Sequence, residues 1–139
     1  MLSVGVDKDT AIKDGETPLM IASRLGQVGV VRVLLGAGAD KNLADKYGHT
    51  ALTMATSWGQ VEVVRLLLSV GVDKDTAIKD GETPLMIASR LGQVGVVRVL
   101  LGAGADKNLA DKYGHTALTM ATSWGQVEVV RLLLSVGVD

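Results

Sequence analysis

Gly15-Glu16-Thr17-Pro18-Leu19 is stated four times in the chain: it returns as Gly48-His49-Thr50-Ala51-Leu52, as Gly81-Glu82-Thr83-Pro84-Leu85 and as Gly114-His115-Thr116-Ala117-Leu118, each copy 33 residues after the last. A fixed interval of that length marks stacked supersecondary units, none of which can bury its apolar face alone. The five residues also say how a unit begins. Asp14-Gly15 is a turn signal, Thr17 can accept from the orphan amides at a helix start, and Pro18 presets the torsion of the first helical residue. Apolar spacing predicts a first helix over 18–25, with its stripe on Leu19, Ala22 and the flanking Ile21 or Leu25, ended at Gly26. A second helix is predicted over 28–37, carrying Val30, Val31, Leu34 and Leu35 inward and Arg32 outward, with Gly38 closing it. Ala39 to Tyr47 has no helical period and several turn formers, which predicts an extended, hairpin-like connection projecting from the helix pairs.

The next unit follows the same plan with Thr50 as cap, Ala51 in place of Pro18, Trp58 in place of Leu25 and Glu62 in place of Gly29. A glycine inside an exposed helix costs about 1 kcal/mol against a good helix former, so the units carrying Gly29 and Gly95 are expected to be intrinsically weaker.

Gly-x-Thr-Pro-Leu followed by x-x-Ala, Gly-Gln, Val-Val-x-x-Leu-Leu and Gly-Ala-Asp resembles the ankyrin repeat, over nearly the whole chain. The resemblance implies an all-α solenoid of stacked helix-turn-helix repeats with hairpin-like loops. It frames the chain as one domain over 1–139, with a partial repeat tail at 1–11 and repeats at 12–44, 45–77, 78–110 and 111–139. The family's His after Leu is Met20 or Met86 in the odd repeats and Thr53 or Thr119 in the even ones. The side-chain hydrogen bond that this His gives the turn is therefore expected to be missing.

A shift of 66 residues aligns 1–73 with 67–139, and 72 of the 73 pairs are identical, the exception being Met1 against Leu67. The two halves of that unit, 12–44 and 45–77, agree at only 17 positions. A divergent pair of repeats has been copied whole, surface residues included, and this points to an engineered chain rather than a natural recognition module.

With 47% apolar residues, 139 residues suffice for a core, and the absence of Phe leaves it to Leu, Val, Ile, Ala and Met. A net charge of −1 with the two signs well mixed gives no reason to expect nucleic acid or an anionic membrane as partner. The lack of cysteine excludes a disulfide framework and a thiolate metal site. The longest apolar run, Val28 to Ala39, is cut by Arg32, and Met-Leu-Ser-Val-Gly-Val-Asp has neither region of a signal peptide, so a soluble, cytoplasmic protein is expected.

No catalytic or metal pattern emerges. Asp73, Asp75 and Asp80-Gly81 lack the alternating ligands and the distal Glu of a calcium loop, and Gly36-Ala37-Gly38-Ala39-Asp40 follows a helix and has no Lys-Ser/Thr pair for phosphate. His49 and His115 sit two repeats apart, about 20 Å if stacked helices are spaced 8–10 Å, too far to share an ion, and both read as solvated. No enzyme, no cofactor and no small-molecule substrate are expected.

The ankyrin resemblance implies protein binding through the hairpin tips and the ends of the first helices. Carried over by position, that surface is Lys13, Asp14, Glu16, Arg24 and Leu25, then Lys46, Tyr47, His49, Ser57 and Trp58, and in the duplicate Arg90, Leu91, Tyr113, His115 and Trp124. Trp, Tyr and Arg are common interface anchors. Trp58 and Trp124 could equally cover the neighbouring repeat; if exposed, they would suit a repetitive or twofold partner.

The ends suggest a second class of function. Terminal repeats of solenoids normally carry a polar outer face, whereas the first and last here have the same sequences as internal ones. Val129, Val130, Leu132 and Leu133 are expected to stay partly wet where their copies Val63, Val64, Leu66 and Leu67 are covered, so copies of the chain could stack head to tail into oligomers or filaments. Leu2 to Asp7 repeats Leu134 to Asp139, so the two segments would compete for one place at such a junction.

Overall fold

The computed structural model describes residues 6–137. Among the described residues, a 3₁₀ turn at Lys13–Gly15 leads into eight helices: α1 (Pro18–Arg24), α2 (Val28–Gly36), α3 (Ala51–Ser57), α4 (Val61–Ser69), α5 (Pro84–Leu91), α6 (Val94–Gly102), α7 (Ala117–Ser123) and α8 (Val127–Ser135). No strand occurs among the described residues. The predicted helix pair thus recurs four times, within a residue or so of its expected bounds. The segments between pairs form turns whose backbone closes on itself, as in Asp45 N–H to His49 O at 2.8 Å.

The caps are local chemistry. Thr17 and Thr83 accept from the Met20 and Met86 amides at 3.3 Å, with Pro18 and Pro84 at the first helical position. In α3 and α7 the expectation of a missing turn bond is overturned. Thr53 stands where the family has His, and its hydroxyl accepts from the Thr50 amide at 2.7 Å while Thr50 accepts from the Thr53 amide at 3.3 Å. Thr116 and Thr119 repeat this reciprocal capping box. A short hydroxyl does the work there, whereas Met20 and Met86 cannot.

Each first helix ends in a left-handed glycine that turns the chain into the second helix. Gly26 has φ +72°, and a Cβ there would lie 2.4 Å from Oε1 of Gln60, whose Nε2 donates to the Arg24 carbonyl at 3.0 Å. Gln126 does the same to Arg90 across Gly92. The torsion calls for glycine, and a Cβ would also displace the next pair's glutamine from its bond to the carbonyl.

Helices of seven to nine residues are too short to be stable alone, so burial between pairs must hold them. Every pair has a back face toward the preceding pair and a forward face toward the following one. The duplication supplies internal controls. Val96 is fully buried against the preceding pair, while its copy Val30 is 47% exposed. On the forward face Val64, Thr53 and Thr56 are buried, while their copies Val130, Thr119 and Thr122 are half-buried or exposed. The expectation for α8 is corrected in part: Val129 and Leu133 are buried, because they point back into the core shared with α6 and α7. Val130 and Leu132 are half-buried as expected, and Val127 and Leu134 are exposed as well.

Gly29 and Gly95 differ for the same reason. A Cβ on Gly29 meets nothing within 4 Å, whereas on Gly95 it lies 3.3 Å from Cγ2 of Val61 in the preceding pair. Gly29→Ala is expected to stabilise the chain by up to about 1 kcal/mol and Gly95→Ala by less, read as urea denaturation midpoints of the two single variants.

Candidate functional site

The turns that precede the first helices are tied to one another by backbone bonds. The Asp14 carbonyl accepts from Lys46 N–H at 2.9 Å, Tyr47 from Lys79 at 3.1 Å, and Asp80 from Lys112 at 3.1 Å. Side chains reinforce two of the three steps. Lys46 pairs with Asp14 at 2.7 Å and lies 5.0 Å above the Tyr47 ring; Lys112 pairs with Asp80 at 3.2 Å and lies 5.1 Å above Tyr113. The hydrogen bonds to Asp14 and Asp80 raise both ammonium pKa values. These pairs are exposed, so they align the tips more than they stabilise the fold.

Behind the tips lie buried or half-buried charges. Arg90 grips Glu82 with two bonds, at 2.8 and 3.1 Å, and that hydrogen bonding raises the guanidinium pKa. Arg24 and Glu16 make the looser copy, at 3.3 and 3.4 Å. Asp111 accepts from the Tyr113 and His115 amides at 2.9 and 2.8 Å, and its second oxygen lies 3.3 Å from Nδ1 of His115. Burial pushes its carboxyl pKa up, but the bonds from His115 and Tyr113 prevail and hold it below the ordinary carboxylate value.

Trp58 and Trp124 are each 62% exposed, although a following helix pair stands beside Trp58 and none beside Trp124. A following helix pair therefore leaves the exposure of the indole unchanged. Each forms one wall of a groove beside the tips. The first, of about 370 Å³, is lined by Lys13, Asp14, Glu16, Tyr47, His49, Ser57 and Trp58 together with Ile12, Asp45 and Met54. The second, of about 560 Å³, is lined by Arg90, Tyr113, His115 and Trp124 together with His49, Ile78, Asp80, Glu82, Asp111 and Met120.

Most of the residues expected at a binding surface are thus brought together. Leu25 and Leu91 are exposed but line neither groove, Lys46 lies above Tyr47 at the tips, and Arg24 sits behind Glu16. His115 is exposed as expected. His49 is not fully solvated: it is half-buried where the next turn approaches Gly48, and its Nδ1 is buried. Asp80 and Glu82 were overlooked, although as copies of Asp14 and Glu16 they were legible from the duplication. Met54 and Met120 gave no signal apart from their apolar character.

The family model described as "Ankyrin repeats (3 copies)" matches residues 1–78 and 70–139, which together span the chain. The chain belongs to the ankyrin-repeat family. Ankyrin repeats are generally protein–protein interaction modules and are typically non-catalytic. A search of curated proteins finds no match. Among the described residues, no three His, Cys, Asp or Glu side chains cluster so as to hold a metal ion, and no helix is long and apolar enough to cross a membrane.

A carboxyl whose pKa is depressed on folding stabilises the protein above its ordinary pKa, and that stability is lost as pH falls through the lower, folded value. Asp111→Ala is expected to reduce stability at pH 7 by about 1 kcal/mol, through loss of its amide contacts. The deficit should shrink below the unshifted value of 3.8, which urea denaturation of both proteins across the acid range would show.

Proposed function

We propose that this ankyrin chain is a non-catalytic scaffold that binds a protein partner in its two grooves, and that the partner presents the same feature twice. The observation that carries the reading is the equal exposure of Trp58 and Trp124 beside equivalent tyrosines, Tyr47 and Tyr113. A rigid aromatic pair beside partly buried charges is the composition of an interface anchor. Two stacked layers separate the grooves, a distance of about 20 Å at usual helix spacing. A partner with two matching segments at that span would gain from effective concentration, and a partner with one would not. The near-neutral charge favours protein over nucleic acid or membrane as this partner.

The 66-residue duplication, intact at 72 of 73 positions, supports an engineered origin for the scaffold. A second reading, that copies of the chain associate through their end faces, is favoured by the exposure of Val30 and Val127.

Peptides selected from a displayed random library on the whole chain test the first reading. Their binding is expected to fall at least tenfold with Trp58→Ala or Trp124→Ala, and further in the double variant, with the helical circular dichroism unchanged. Selected peptides that bind the double variant as well as the parent would exclude the grooves as the site.

A further inference from the structure

The end-face reading can be taken to a defined interface, because the chain contains that interface already. The forward face of α3 and α4 is covered by α5 and α6. Residues 117–135 of α7 and α8 repeat 51–69 of α3 and α4 without change, and 18–36 of α1 and α2 are the same as 84–102 of α5 and α6. We infer that the forward face of α7 and α8 docks the back face of α1 and α2 of a second copy, reproducing the internal junction side chain for side chain. This rests on the reading that copies of the chain associate, and adds the partner face and the register.

Both halves of the junction stand ready on one molecule. Val127 and Leu134 are 61% and 56% exposed on the forward face, while the copies Val61 and Leu68 are only partly accessible inside the chain. Val33, on the back face, is 71% exposed where its copy Val99 is partly covered. Complementarity extends to the backbone. A Cβ on Gly59 would lie 2.8 Å from Oε1 of Gln93, whereas one on Gly125 has no described atom within 4 Å; the residue matching Gln93 is Gln27, which is exposed. The Tyr47 carbonyl accepts from Lys79 N–H at 3.1 Å, and the matching groups are the Tyr113 carbonyl and the Lys13 amide. The two faces differ from each other, so the contact is heterologous and does not close on a dimer.

Leu2 to Gly5 repeats Leu134 to Gly137 in sequence and lies outside the described residues.

Sedimentation velocity over a concentration series tests this with the full chain, Val127→Glu on the forward face and Val33→Glu on the back face. Both sites are exposed, and circular dichroism checks that each variant is folded. The parent is expected to associate beyond a dimer, each variant alone to remain monomeric, and an equimolar mixture to form a dimer and nothing larger. A monomeric parent at high concentration would overturn association itself. A parent that associates while Val127→Glu or Val33→Glu alone still dimerises would overturn the register and leave association standing.

Discussion

Burial of one helix pair against the next is the interaction on which everything else in this protein depends. Its helices are seven to nine residues long, with caps and glycine stops at their ends, and nothing in their own sequence would keep them folded in water. What keeps them is apolar area removed from solvent at each junction, at about 25 cal/mol per Å². The duplication makes this unusually plain. Val96 and Val30 have the same neighbours in sequence and opposite accessibility, so position in the stack and not local sequence decides what is core.

The candidate surface is a by-product of the same stacking. Once the pairs are in register, the turn before each first helix is brought beside the next, and one backbone bond per step fixes the tips in a row. The Arg90–Glu82 pair and the Asp111 turn lie behind the tips, while Trp58 and Trp124 stand exposed at the ends of α3 and α7. Large exposed aromatic side chains are common interface anchors, which is why they carry the functional reading.

Much of this was legible in the sequence because it was local. Thr17-Pro18 and Gly26 gave the limits of α1, and the Val-Val-x-x-Leu-Leu spacing gave α2. What could not be read required knowing which neighbour lies on which side. Val129 and Leu133 look like end-face residues until their direction along α8 is known, and they prove to point back toward α6. Trp58 was open to two readings for the same reason, since its period suits a cover as well as an anchor. The reciprocal bond between Thr50 and Thr53 escaped a reading by family pattern, because Thr replaces the expected His while supplying an acceptor of its own.

Native-state hydrogen exchange tests the central claim most directly, because α1–α2 and α5–α6 are identical in sequence and differ only in place. At a concentration where the chain is monomeric, the account predicts that amides of Val94–Gly102 exchange markedly more slowly than their copies in Val28–Gly36. Equal protection of the two segments would mean that each helix pair carries its own stability, and would contradict the dependence on neighbours.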